Sequence, residues 1–316
     1  MKILCIGEAL IDMICTDTGS SLSKGEHFLK KPGGAPTNVA AAVAALGGEV
    51  LLSAKVGADP FGQQLIDVMK DFGVSTEWMV RDKDHFTTFA FVSLMNGGER
   101  DFVFNRGADG ELSESDLEGI DLNEFSIIHF GSATAFLPGP LQHAYKSLLQ
   151  MAIDKNIFIS FDPNYRQLLW KNNMPTFIEQ SRYFMERCHF FKMSDEEAML
   201  ITESASVNDA AKILSKKSKA TFTITLGKEG TLLMHKKNKF IVSSIPVKSI
   251  DSTGAGDAFV GAILYQLSNY SLVMIQAMSA EDWKNIVANG NKAGARTCEY
   301  MGAMEAFKHL SNHIFD

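Results

Sequence analysis

Residues 251–259 read Asp-Ser-Thr-Gly-Ala-Gly-Asp-Ala-Phe and run into the apolar stretch 260–267. A helix starting there presents unpaired N–H groups and a partial positive charge, which together favour an anion such as a phosphoryl group. Gly254 and Gly256 lack Cβ, so phosphate oxygens can come close to the backbone on either side of Ala255. Asp257, in the first turn, would be held ionised by the same dipole. A carboxylate so placed can accept a proton from an incoming hydroxyl while the neighbouring amides steady the developing charge. The plainer alternative is an ordinary helix start in which Asp257 only complements the dipole. Two other phosphate patterns are missing: Gly227-Lys228 is not a Walker A loop, and no GxGxxG follows the first apolar run.

Elements to position such a site are legible along the chain. The run 3–6 is apolar on both faces, as in a strand covered on both sides. Gly33-Gly34-Ala35-Pro36 leads into an Ala-rich helix, 37–46, that Gly47-Gly48 ends. A strand at 50–56 and a helix at 60–72 follow, with Pro60 at the helix start and Gly73 after it. From about residue 78 the texture changes: β-formers at 87–94 and 100–104 flank Asn96-Gly97-Gly98, a hairpin signal. With an extended piece near 26–30, these predict a small sheet apart from the main one, placed to cover a cleft. After Asp121, strands at 126–130, 157–161, 190–193, 221–226, 231–235 and 240–243 alternate with helices such as 141–153 and 209–217. The fold class is α/β with a mostly parallel central sheet, its last three strands antiparallel at one edge. No repeat or linker divides the chain, which reads as one domain over 1–316.

Composition narrows the function classes. Of 316 residues, 30 are Lys or Arg and 37 Asp or Glu, a formal charge of −7 that argues against a nucleic-acid footprint. Cys5, Cys15, Cys188 and Cys298 are scattered with no CxxC pair, which suits reduced thiols in a cytoplasmic protein. The N-terminal run is short and broken by Gly7 and Glu8, so neither a signal peptide nor a membrane span is expected.

Two motifs together carry a resemblance. The 251–259 segment resembles the C-terminal signature of the PfkB (ribokinase) family of carbohydrate kinases, and Gly33-Gly34-Ala35-Pro36-Thr37-Asn38-Val39-Ala40 resembles its N-terminal signature. The resemblance implies a ribokinase-like three-layer α/β/α fold with a small β-sheet lid from about 14–32 and 83–107. It also implies that Asp257 is the catalytic base and that the backbone of Gly254, Ala255 and Gly256 forms the anion hole. Asp12, Gly33, Gly34 and Asn38 match sugar-contacting positions, with Asp251 and Ser252 where the family often holds a monovalent cation such as K+. Thr225, Gly227 and Gly230 lie in a segment similar to the nucleotide-binding strand and turn, and Asn291 in one similar to the adenine-side helix. Met193-Ser194-Asp195-Glu196-Glu197 resembles an Asn-x-x-Glu segment linked to Mg2+ and phosphate, with Ser194 in place of the Asn and Glu197 as a water-mediated Mg2+ residue.

The cofactors so implied are ATP and Mg2+. The partners are a small-molecule sugar and a second copy through the lid, with neither nucleic acid nor membrane. Phe161-Asp162-Pro163-Asn164-Tyr165-Arg166, with Trp170 soon after, resembles the fructokinase and 2-keto-3-deoxygluconate kinase branches, and Asn105-Arg106-Gly107-Ala108-Asp109 resembles the fructokinase version of its segment. Asn164 is then expected at the nucleotide, and Arg106 and Arg166 as forks for sugar or phosphate. Fructose phosphorylated at its 6-hydroxyl is the favoured reaction. A 2-keto-3-deoxygluconate kinase, an aminoimidazole riboside kinase and a non-catalytic sugar sensor are the alternatives.

Overall fold

A computed structural model describes residues 1–94 and 100–315. The turn expected at Asn96-Gly97-Gly98 lies outside the described residues. In chain order the strands are β1 (Lys2–Ile6), β2 (Leu10–Cys15), β3 (Phe28–Gly33), β4 (Val50–Gly57), β5 (Met79–Asp82), β6 (Thr88–Leu94), β7 (Arg100–Asn105), β8 (Phe125–Phe130), β9 (Phe158–Phe161), β10 (Phe190–Ser194), β11 (Thr221–Thr225), β12 (Thr231–His235) and β13 (Asn238–Val242).

Among the described residues, nine strands form one sheet in the order β13-β12-β11-β10-β9-β8-β1-β4-β5. Pairing is parallel from β11 to β5, while β12 and β13 return antiparallel at the edge, as the sequence pattern predicts. Alternation along β1 decides the layering. Ile3 and Cys5 join a core with the helices Ala35–Ala45, Pro60–Phe72, Ala255–Leu267 and Ala280–Thr297. Leu4 and Ile6 join the core on the opposite face, with Pro140–Asp154, Met174–Met185, Asp195–Thr202 and Val207–Lys217. Ile3, Leu4 and Ile6 are wholly buried, and each contributes about 1.5–3 kcal/mol of apolar burial.

Small residues bring two helices of the first layer close together. A Cβ on Gly261 would stand 2.8 Å from the Ala42 Cβ. The Ala-rich composition of the helix Ala35–Ala45 is therefore a packing requirement as well as a helix propensity. The helix Pro60–Phe72 starts where Asp59 Oδ1 accepts the N–H groups of Phe61 and Gly62, and it ends at left-handed Gly73.

The second sheet has the order β3-β2-β6-β7. β2 runs antiparallel to β3 and parallel to β6, and β7 is antiparallel to β6. Two details differ from the sequence reading. β2 is a strand that the pattern did not single out, and Asp12 sits within it. The extended piece expected at 26–30 begins instead at Phe28, because Asp17 Oδ2 accepts the N–H groups of Glu26 (2.7 Å) and His27 (3.0 Å) and holds them in a loop. All four cysteines are free thiols. No helix among the described residues is long and apolar enough to cross a membrane.

Candidate active site

The helix Ala255–Leu267 begins at Gly254, whose φ of 80° is left-handed. A Cβ on Gly254 would lie 2.4 Å from the Ala303 Cβ, so glycine is needed for conformation and for space. No side chain caps this helix. Ala255 N–H turns back onto the Ser252 carbonyl at 3.2 Å, while the Gly256 and Asp257 amides have no i−4 carbonyl within the helix. The preceding turn is braced by Asp251. Its Oδ1 accepts Thr253 N–H (3.0 Å) and Thr253 O–H (2.7 Å), and its Oδ2 accepts Gly302 N–H (2.8 Å).

Asp257 is 8% exposed, and its Oδ2 accepts from Asn38 Nδ2 at 2.8 Å. Asn38 comes from the first turns of the helix Ala35–Ala45, which begins at Gly34 with φ 107°. Any Cβ at Gly34 would meet the Glu8 carbonyl oxygen at 2.4 Å. The Asn38 Oδ1 is buried without a hydrogen-bond partner. Burial pushes the Asp257 carboxyl up to about 6, against the Asn38 hydrogen bond and the charges of Arg166 and Lys192; Asp162 adds to the rise. Desolvation outweighs the groups that favour its charged form, and the carboxyl titrates within reach of neutral pH.

Asp12 is half-buried, and burial pushes it up to about 6 while Arg166 pulls the other way. Gly33 makes room for it, since a Cβ at that position would fall 2.1 Å from Asp12 Oδ2. The guanidinium whose field reaches both Asp12 and Asp257 is that of Arg166. It is exposed, with one fork nitrogen donating to the Tyr165 carbonyl at 3.1 Å. Asn38 thus meets Asp257 and Gly33 meets Asp12, with the Arg166 charge acting on both carboxyls. Arg106 is engaged differently: it donates to the Pro138 (2.9 Å) and Thr134 (3.3 Å) carbonyls and pairs with buried Asp109 at 3.6 Å.

Several residues expected at the nucleotide make protein contacts that explain their identity. Ser194 caps the helix Asp195–Thr202: its Oγ accepts Glu197 N–H (3.1 Å), and Glu197 Oε2 accepts Ser194 N–H (2.7 Å). This capping box is why serine serves at that position. Glu197 Oε1 accepts Tyr165 N–H at 2.7 Å, tying this helix to the Arg166 segment. Asn164, at φ 46°, donates its amide to the Gly131 carbonyl at 2.7 Å. Thr225 O–H donates to the Met193 carbonyl at 3.4 Å. Gly227 and Gly230 shape the turn into β12, and a Cβ on Gly230 would meet the Val242 carbonyl oxygen at 2.2 Å. Asn291 accepts from Thr231 O–H (2.6 Å) and donates to the Val242 carbonyl (2.9 Å), fastening its helix to the sheet edge.

Among the described residues no group of three or more His, Cys, Asp or Glu side chains could hold a metal ion by itself. Glu197, with each oxygen taking one backbone N–H, keeps lone pairs for a metal-bound water. That donor set fits Mg2+, which is held mainly through substrate phosphates and water.

The sequence reading left four buried charges unassigned. Lys192 Nζ donates to Asp162 Oδ2 at 3.0 Å, and Asp162 is fully buried. Burial opposes the Lys192 charge, but Asp162, Glu197 and Asp257 outweigh it and raise its pKa. Glu8 Oε1 accepts the N–H groups of Ala35 (3.1 Å) and Ala133 (3.2 Å), pinning the Gly33-Gly34 loop to the end of β8. Asp109 Oδ2 accepts from Thr134 O–H at 2.8 Å. A charge inside an otherwise apolar run, as in Phe-Phe-Lys-Met, is the signal that could have flagged Lys192.

A mostly parallel three-layer sheet, a glycine-rich helix start with a buried carboxylate and a small sheet opposite define an ATP-dependent sugar kinase of ribokinase-like fold. The model of the pfkB family carbohydrate kinases matches residues 1–309, and the chain belongs to that family. It is therefore a phosphotransferase acting on a sugar hydroxyl. Among curated relatives, it is 34% identical over 307 residues to the probable fructokinase-5 of Arabidopsis thaliana, covering 96% of this chain and 93% of that protein. Among solved structures, the ATP-bound fructokinase of Xylella fastidiosa superposes with a TM-score of 0.86 at 28% identity, covering 99% of this chain and 96% of that one. A double mutant of the Vibrio cholerae O395 fructokinase, bound to fructose, ADP and potassium ion, gives a TM-score of 0.85 at 29% identity over the same shares.

Proposed function

We propose that this kinase transfers the γ-phosphoryl group of ATP to the primary hydroxyl of fructose, with Asp257 as general base. The observation that carries the reading is the buried pair of Asn38 and Asp257, whose remaining amide oxygen, Asn38 Oδ1, lacks a partner. A sugar hydroxyl entering there can donate to that oxygen. The reacting hydroxyl gives its proton to an Asp257 oxygen as its own oxygen bonds to the γ-phosphorus. The bond from that phosphorus to the bridging oxygen breaks, and ADP leaves with the electron pair. Of the expected Gly254, Ala255 and Gly256 amides, that of Ala255 is taken up by the Ser252 carbonyl, so the anion hole is read here as the Gly256 and Asp257 amides, which stabilise charge on the phosphoryl oxygens. Glu197 would hold a water of Mg2+ bound with ATP, an ion that would neutralise phosphate charge.

Asp12, with the room left by Gly33, takes sugar hydroxyls, and Arg166 orients sugar or phosphate by its fork. The second sheet closes as a lid, keeping water from competing as the acceptor. Fructose rather than another sugar is supported by the fructokinases among the relatives and by the Asn105–Asp109 segment. Asp251 and Ser252 hold a monovalent cation such as K+ beside the turn. A second copy seats on the lid face that exposes Ile14 and Leu29, cross-strand partners 40% and 43% exposed.

The test is an ADP-release assay over fructose, ribose, 2-keto-3-deoxygluconate and nucleosides. Preference for fructose by 100-fold or more in kcat/KM is expected, on the order of what a well-formed hydroxyl-binding site achieves. Preference for 2-keto-3-deoxygluconate or aminoimidazole riboside would replace the substrate, and no turnover with any would leave a sugar sensor.

A further inference from the structure

Lys192 is a charge that neither the base nor the anion hole accounts for. It is the one charged residue of β10, between Phe191 and Met193, and it is 7% exposed. Its Nζ donates to Asp162 Oδ2 at 3.0 Å. A Cβ on Gly256 would stand only 3.1 Å from the same Nζ, so the ammonium lies against the backbone of the glycine-rich turn. An apolar residue in this strand would bury without the desolvation cost of an ion pair. The ammonium is thus best explained by what it does to the neighbouring site.

We propose that Lys192 is a positioning residue of the transfer step, its ammonium held by Asp162 against the Gly256 backbone so that a fixed positive charge stands behind the glycine-rich turn and next to Asp257. This rests on the reading of Asp257 as the base. The groups acting on Asp257 are Asn38 from the helix Ala35–Ala45, Asp162 and Arg166 from the segment after β9, and Lys192 from β10. Those acting on Lys192 are Asp162, Asp257 and Glu197 of the helix Asp195–Thr202. His129 on β8 is neutral here, pushed down to about 3 by burial with the Lys192 charge adding to it. Lys192 favours ionised Asp257 and Asp162 disfavours it. Neutralising one or the other therefore moves the Asp257 titration in opposite directions, which loss of a merely structural pair would not do.

The experiment uses the full chain as wild type, Lys192→Met, Asp162→Asn and the double variant. The Asp257 carboxyl is titrated by 13C NMR in the resting enzyme and assigned by its absence in Asp257→Asn. The pH profile of kcat/KM is recorded alongside. Lys192→Met raises the Asp257 midpoint by about one unit, carries the acidic limb with it and so lowers kcat/KM at pH 7 by about twofold. Asp162→Asn lowers the midpoint, and the double variant returns to within about half a unit of wild type. Shifts of the same sign, or none in Lys192→Met, overturn the proposal. Should Lys192→Met fail to fold, Lys192→Gln takes its place: a raised midpoint supports the role, and an unchanged or lowered one overturns it. Because the NMR midpoint needs no turnover, these results stand apart from whether Asp257→Asn remains active, which judges the base itself.

Discussion

Asn38 Nδ2 donates to Asp257 Oδ2 across 2.8 Å, joining two residues 219 positions apart in the chain. One begins the helix after the Gly33-Gly34 loop, and the other begins the helix after the 251–254 turn. The same two helices touch where Gly261 meets Ala42. The Gly33-Gly34 loop and the 251–254 turn are therefore parts of one packed body, and under the proposed function the base is oriented by a residue from the sugar side. That arrangement is what a transfer between two bound substrates requires.

Asp257→Asn is expected to lower kcat by 10²–10⁴-fold, the usual range for removing a general base. The amide keeps the acceptor for Asn38, so ATP affinity measured by calorimetry should stay within about threefold. Turnover near the wild-type rate would remove Asp257 from the role.

The same variant should be more stable than wild type at alkaline pH. The Asp257 carboxyl sits at about 6 in the folded protein against 3.8 when unperturbed. Its contribution is thus fully present below the lower value and lost as pH rises through the upper one. Asparagine avoids that loss, so Asp257→Asn gains roughly 1–3 kcal/mol at pH 8 and little at pH 4. Denaturant titrations at both values check it, and a gain that does not grow with pH would contradict it.

The kcat/KM profile of the wild type should fall on the acid side with a midpoint near pH 6, where Asp257 takes up its proton. Asn38→Ala removes a hydrogen bond that favours the charged form, so its acidic limb should move to higher pH. A steady-state series from pH 4.5 to 9 reads both.

Gly33→Ala places a methyl 2.1 Å from where Asp12 Oδ2 now lies, so the carboxylate must move. The sugar KM should rise tenfold or more with nucleotide binding unchanged, as expected when one buried polar contact is misplaced. Gly73→Ala is the control, since its Cβ would meet nothing within 4 Å; its φ of 86° makes it a test of strain away from the site.

Much of the molecule was legible in the amino-acid order, because helix starts, glycine turns and alternating apolar runs are local chemistry. The 251–259 and 33–40 segments named the class, and the strand pattern predicted the parallel sheet with its antiparallel edge. β2 was not legible: Leu-Ile-Asp-Met-Ile carries no turn signals, and it becomes a strand only by pairing with β3 and β6. Nor was the burial of Asp257. A helix dipole can be read from sequence, but desolvation depends on what packs over the carboxyl, and burial reversed the expected direction of its shift. Lys192 and Asp162, Glu8 and Ala35, and Asn38 and Asp257 are likewise partners only in three dimensions. The sequence by itself determined which groups are present and how each short segment folds. The tertiary structure decided which of them are buried together, and with that their charge, because burial and distant contacts belong to the packed chain rather than to any segment of it.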